Sequence, residues 1–397
     1  MTATVESDVV DSLSSPRTDA GESTRVTTRD SQYNNVATEI MKESIRIASG
    51  QGFWGDLLRA PIDQVRRGPI DYLVMDYLAE VTMSIMQKQR IRNPELGYAR
   101  DLVDTIDEIL PDIAEKGIRL ITNGGGVNLE ACRDAILERA RNKGVNVTVG
   151  VVSGDDILDD IDTLVAAGAP LENMESGASL EDVRDELLSA NVYLGAAPIV
   201  KALGMGADIV ITGRTTDTGL TLAPMIHEFG WDMSNWDLMA AGTIAGHIIE
   251  CGAQASGGNY MGDWRGVPNM IDVGFPIIEA LPTGEFFVTK HEGTGGLVSR
   301  GTVAEQCLYE IGDPKGYITP DVIADFTSIN LEDLGDNRVR VHGIRGAENT
   351  PTYKVSMSYE DGYSAFATLG YAWPEAIDKA RAADEILRGR LDALGLE

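Results

Sequence analysis

From residue 45 onward, short apolar runs alternate with stretches whose apolar positions recur every three or four residues. Ile45–Ser49, Tyr72–Met75, Ile118–Thr122, Val145–Val152 and Ala207–Thr212 are compact apolar runs, each followed by a polar or glycine-rich loop. Between them, Leu102, Ile106, Ile109 and Leu110 keep helical spacing, and Ala131, Ile136 and Ala140 do so more loosely. Strands that alternate with helices predict an α/β fold. The expected form is a doubly wound, mostly parallel sheet covered on both faces, and the near-continuous apolar character of Val145–Val152 fits burial on both sides. Asn191–Leu194 is a further short strand in this reading.

From about residue 275 the pattern changes. Phe286–Thr289, Arg338–Val341 and Thr352–Met357 read as strands, and the turn Glu360-Asp361-Gly362 predicts a hairpin continuing into Tyr363–Leu369. A helix from Pro374 to Leu394 closes the chain, with proline in its first turn. Residues 1–38 are rich in Ser, Thr and Asp and bury too little apolar surface to offset the entropy of ordering. The expected organisation is a flexible tail at 1–38, an α/β domain at 39–274 and a β-rich (α+β) second domain at 275–397.

Composition narrows the function. The 397 residues are 43% apolar, enough for a sizeable core, yet no apolar run reaches the length of a membrane span, and with neither a basic start nor an apolar stretch in residues 1–20 no secretory leader is expected. A formal net charge of -29 argues against nucleic acid and anionic membranes as partners. Cys132, Cys251 and Cys307 are too few and too widely spaced for a disulfide framework or a zinc site, which fits a reducing, cytoplasmic setting.

Parallel sheets bind ligands beyond the carboxyl ends of their strands, and here those ends are polar. They carry Asp56, then Asp76 with Glu80, Asn123 with Asn128, Asp155 with Asp156, and Arg214 with Thr216 and Asp217. Asp76, Glu80, Asp217 and Glu250 are the candidate acids and bases. Asn123-Gly124-Gly125-Gly126 lies between a strand and a helix. It is either a backbone cradle for an anion or a tight turn that needs glycine. Arg214 either clamps an anionic ligand or neutralises Asp217 or Asp155. Gln254 follows Cys251 in a glycine-rich turn after His247 and Glu250. Lys290 and Gly295 sit in a second loop with a cation and backbone donors. No histidine pair has metal-ligand spacing, and no cofactor is expected; Mg²⁺ held by Asp76, Glu80, Asp155 and Asp217 is left open.

The longest motifs are GQGFWGD at 50–56, IDYLVMDYLAEVTMSIM at 70–86, NGGGVN at 123–128 and ADIVITGRTTDTGLTLAP at 207–224. AGHIIECGAQASGG at 245–258 and VTKHEGTGGLVS at 288–299 extend them. In these the chain resembles the acyclic terpene utilisation AtuA family, from residue 45 to about 390. The resemblance implies a part in the catabolism of branched acids handled as acyl-CoA thioesters, and it brings no catalytic residues with it. The expectation is a subunit of a lyase or hydratase; the alternative is a non-catalytic binding or scaffold subunit. Fuller family members continue past the closing helix into a small α+β module. The expected partner is therefore a separate small subunit supplying that module, in a hetero-oligomer.

Overall fold

A computed structural model describes residues 2–6, as backbone, and 42–395. The rest of the expected tail lies outside the described residues. Thr2–Glu6 (β1) is a strand that pairs antiparallel with the later strand Thr352–Tyr359 (β15).

The predicted alternation of strands and helices is present. Ile45–Gln51 (β2), Tyr72–Met75 (β3), Arg119–Thr122 (β4), Val149–Val152 (β5) and Ile209–Thr212 (β7) lie side by side as the parallel half of a nine-stranded sheet. Leu187–Val192 (β6) leaves this sheet and pairs with β15 instead.

Successive residues of each parallel strand face opposite sides of the sheet. Ile45, Ile47, Tyr72, Val74, Ile121 and Val210 join one core, with apolar residues of the helices Ala197–Gly204, Gly219–Phe229 and Trp236–Glu250. Ala48, Leu73, Met75, Leu120, Ile209 and Ile211 join a second core, with the helices Arg59–Arg67, Arg100–Lys116 and Leu129–Lys143. The sheet is therefore covered on both faces, and burial of one such Leu or Ile side chain contributes about 1.5–3 kcal/mol.

The expected boundary at 274/275 does not separate two cores. Ile277–Ala280 (β8) pairs antiparallel with β2, and Phe286–Thr289 (β9), Val339–His342 (β13) and Asn330–Asp333 (β12) extend the same sheet. The full order is β12-β13-β9-β8-β2-β3-β4-β7-β5. Ile278, Phe286, Val288, Val339 and Val341 belong to the first core, so the β-rich stretch completes the hydrophobic interior of the α/β part. A small antiparallel sheet of Tyr317–Ile318 (β10), Ile323–Asp325 (β11) and Arg345–Ala347 (β14) lies in the same unit, which ends at Tyr359.

The hairpin expected over Tyr363–Leu369 does not form. Both edges of β15 are already taken, by β1 and β6, so no ladder position is left for it. Residues 360–397 form their own unit, built around the helix Ala376–Leu394.

Candidate active site

Strand register sets the site. Gln51 lies level with Met75, Met75 with Thr122, and Thr122 with Ile211. The next residues along the chain, Gly52, Asp76 and Asn123, therefore emerge at one edge together with the loop Gly213–Asp217. The helix Trp236–Glu250 ends there as well: a Cβ on Gly52 would lie 2.6 Å from the Cys251 carbonyl carbon.

Asp76 is buried. Its Oδ1 accepts from Asn123 Nδ2 at 2.6 Å and from the Leu78 amide at 3.1 Å. Burial pushes its carboxyl up to about 6; Arg214 and Asn123 oppose this, and the Glu250 charge adds to it. Arg214 is 1% exposed and is the largest fully buried side chain among the described residues. Its Nη1 donates to the Leu78 carbonyl at 2.7 Å and its Nε to the Thr215 carbonyl at 3.0 Å. Nη2 pairs with Asp217, and the guanidinium carbon lies 4.3 Å from the centre of the Tyr193 ring.

Asp217 keeps about a third of its side chain exposed (36%). Desolvation, with Asp76, Glu250 and Glu80 nearby, raises its pKa well above the usual carboxylate range despite Arg214. Glu250 is nearly buried; its Oε1 lies 3.0 Å from His247 Nδ1, and its Oε2 has no partner. The other ring nitrogen of His247, Nε2, donates to the Gln306 carbonyl at 3.0 Å, and Tyr317 and Phe326 pack edge-on against the ring. Burial alone would depress the imidazolium, but Glu250 and the Gln306 carbonyl outweigh it and raise the His247 pKa.

Glu80 stands at the rim, half exposed, accepting from the Tyr193 hydroxyl and paired with Lys354 at 3.2 Å. Desolvation works against its charge, yet Tyr193, its own amide, Lys354 and Arg214 together bring its carboxyl down to about 2.

The structure thus brings Asp76, Glu80, Arg214, Asp217 and Glu250 into one electrostatic group. It gives other expected residues different work. Arg214 has its three nitrogens engaged inside the protein and no open side for a ligand, so it fixes Asp217 rather than clamping an anion. Asn123 is a brace: its Oδ1 accepts from the Tyr77 amide at 2.7 Å while its Nδ2 holds Asp76.

Of the two readings of Asn123–Gly126, the hydrogen bonds of Gly124 and Gly126 favour the tight turn. The Gly124 amide donates to Thr122 Oγ1, the Gly126 amide to the Asn123 carbonyl and the Asn128 amide to the Gly125 carbonyl, so these donors are spent locally. Gly126 has φ +57°, and a Cβ there would lie 2.3 Å from Met86 Sδ. The Asn128 side chain ties down the Pro94 and Leu96 carbonyls. Thr216 is buried beside Thr218 Oγ1, at 3.3 Å. Gln254 presents a buried Oε1 without a partner.

Lys290 and Gly295 serve their own loop. Lys290 Nζ donates to the Thr294 carbonyl at 2.7 Å, and burial lowers its pKa. The Gly295 amide donates to the Asp272 carbonyl, and a Cβ there would lie 1.9 Å from the Asn269 carbonyl oxygen. Cys251 has its thiol pushed up by burial and by Glu250, which keeps it protonated. Among the described residues no group of three or more His, Cys, Asp or Glu could hold a metal ion.

Sequence reasoning gave Tyr193, Tyr317 and the bridging role of His247 no place in the site. Tyr193 follows a strand of the separate sheet and Tyr317 belongs to β10, so neither carries the signature of a parallel strand end. The separation of His247 from Glu250 by three residues on a helix was the one available signal.

A cavity of about 720 Å³ opens at the opposite edge, where β3 and β4 begin, lined by Lys42, Tyr72, Arg119 and Glu228. Tyr72 donates to Glu228 at 2.6 Å, and Lys42 pairs with Glu228 and Asp71. It lies away from the edge where parallel sheets place their chemistry.

A mixed sheet with helices on both faces, and a carboxyl-rich group at its parallel strand ends, defines an α/β protein with a buried acidic cluster at one sheet edge. Residues 45–397 match the family described as acyclic terpene utilisation family protein AtuA, and the chain belongs to that family. Neither the curated proteins nor the solved structures hold a significant match to it. Among the described residues no helix is long and apolar enough to cross a membrane.

Proposed function

We propose that this protein is a cytoplasmic acid–base enzyme of lyase or hydratase type, acting on a small branched acyl thioester in acyclic terpene utilisation. The observation that carries the reading is the Asp76 carboxyl, pushed up to about 6 beside Asp217, whose pKa is raised well above the usual range. Two neighbouring carboxyls that are both raised, one of them held by Arg214, can divide the roles of base and acid between them.

In the dehydration direction, the Asp76 carboxylate takes the proton from the carbon next to the thioester carbonyl. The electron pair of that C–H bond forms the C=C bond. The β-hydroxyl leaves with a proton from Asp217, as water. Hydration is the reverse. Glu250, steadied by His247 through one oxygen, keeps its second oxygen for a substrate hydroxyl or for relaying a proton. Of the two substrate classes considered, the thioester is favoured over the free acid. Four carboxyl groups surround one arginine here, and a neutral carbonyl meets less repulsion than a second carboxylate.

Purified protein should turn over branched enoyl- or β-hydroxyacyl-CoA, followed at the enoyl-thioester absorbance, with a rate that rises through about pH 6 as Asp76 ionises. Asp76→Asn should lower kcat by about 10²–10⁴-fold. Unchanged kcat in a folded Asp76→Asn protein would sink the assignment.

A second reading is a binding or scaffold subunit working with a small partner chain. It is favoured by residues 360–397: the helix Ala376–Leu394 has no buried residue, and Tyr363, Phe366 and Trp373 stand almost fully exposed. A complex with such a partner that turns over no thioester would favour this reading.

A further inference from the structure

A cavity of about 380 Å³ lies between the end of β5 and the start of the helix Ala197–Gly204. Its walls include Leu194, Pro198, Met233, Trp236 and Tyr353, and Asp321 also faces it. The cavity is separate from the acid–base group. Tyr193 and Leu194 are consecutive in extended chain, so their side chains point to opposite sides. Tyr193 covers Arg214 and reaches Glu80, whereas Leu194 lines the cavity.

Asp321 is 8% exposed. Its two oxygens share a single donor, the Ala196 amide, at 2.9 and 3.1 Å. That is a capping bond, and it uses a small part of a carboxylate that offers about four acceptor sites. No Lys, Arg or His lines the cavity, and among the described residues Asp321 makes no ion pair. Burial raises its carboxyl to about 6, with no cation acting against the shift. Buried carboxylates are ordinarily paired with a cation. Here an acidic group without one sits in a small cavity walled by aliphatic residues, a tryptophan and a tyrosine, with Ser153 and Asn349 as its other polar side chains. Carboxylate and aromatic side chains together are the chemistry that recognises an organic ammonium ion.

We propose that this cavity is a second small-molecule site, for an organic ammonium ion with a compact alkyl body. The Asp321 carboxylate accepts from its N–H groups, and Leu194, Met233, Trp236 and Tyr353 enclose its carbon skeleton. The cavity volume falls in the range of small-molecule pockets. Occupancy bears on Leu194, whose carbonyl accepts from the Thr216 amide at 2.8 Å, so a ligand here touches the segment after β6 that is hydrogen-bonded to the Arg214 loop.

The test uses the full chain and three probes of one skeleton: 3-methylbutylammonium, 3-methylbutanol and 3-methylbutanoate. Calorimetry measures binding and tryptophan emission reports on Trp236. The ammonium ion should saturate at about millimolar concentration, with the alcohol about tenfold weaker or worse and the anion weaker still. Asp321→Asn keeps an oxygen for the Ala196 amide, and it should bring the ammonium ion down to the level of the alcohol. Trp236→Phe should remove the emission change while calorimetric binding persists. Equal affinity for ammonium ion and alcohol in the native protein would overturn the proposal, and so would no saturable heat with the ammonium ion. Undiminished ammonium binding by a folded Asp321→Asn protein would do the same. Each of these readouts is independent of thioester turnover.

Discussion

Single residues at this sheet edge work by burial as much as by contact. Asp155 receives the Arg214 amide at 2.8 Å and Asn191 Nδ2 at 2.9 Å, and burial still pushes its carboxyl up to about 6. A carboxyl whose pKa rises on folding binds its proton more tightly in the native state. Its stabilisation is complete below its unfolded pKa of about 4 and is lost as pH climbs through about 6. Asp155→Asn cannot ionise and keeps an oxygen for the Arg214 amide. Its melting temperature should therefore gain on that of the native protein between about pH 4 and about pH 7, by the equivalent of about 3 kcal/mol. A constant difference across that window would mean that Asp155 ionises as freely folded as unfolded. Gly126 offers a different test. Alanine there meets Met86 Sδ, the Gly97 carbonyl and a left-handed backbone together. Gly126→Ala should cost about 1–3 kcal/mol in denaturant unfolding, and a neutral result would remove the packing account of this turn.

Elements matter through the residues that join them. Asn123 ties the end of β4 to the end of β3, with bonds of 2.6 and 2.7 Å. Asn123→Ala strands the Tyr77 amide and should cost about 1–3 kcal/mol of stability. It also removes a donor that holds the Asp76 pKa down, so the acidic limb of the pH–rate profile should move above about 6. Activity lost with an unmoved profile would mean that Asn123 supports the fold alone. The elements themselves were largely legible. Strands expected at Ile45–Ser49, Tyr72–Met75, Ile118–Thr122 and Ala207–Thr212 are found at Ile45–Gln51, Tyr72–Met75, Arg119–Thr122 and Ile209–Thr212. The apolar run is the signal, because burial on both faces demands it; Val145–Val152 is the exception, since only Val149–Val152 forms a strand, and it lies half-buried at the edge of the sheet. The hairpin at Tyr363–Leu369 was misread because local turn chemistry does not reveal that β15 already has both its neighbours. The glycine turn was ambiguous for a similar reason: whether its amides are free or spent depends on Thr122 and on the fold of the turn itself.

At the scale of the whole molecule, the unit that ends at Tyr359 holds the cores, and residues 360–397 stand as a separate unit. Leu387, Leu391 and Leu394 are exposed on a helix with no buried residue. Leu387→Glu should therefore leave unfolding of the isolated chain within about 0.5 kcal/mol of the native value; a larger loss would mean that this face is packed in solution. The sequence by itself determined the α/β alternation, the family and the strand ends where Asp76, Asp217 and Arg214 emerge, because these follow from periodicity and local order along the chain. Tertiary structure decided what each polar residue does there. It joined residues 277–342 to the sheet formed by residues 45–212, buried Arg214 against Tyr193, and left Asp321 facing a cavity without a cation. Charge, burial and hydrogen-bond partners depend on segments distant in sequence, and no local pattern records which of them will meet.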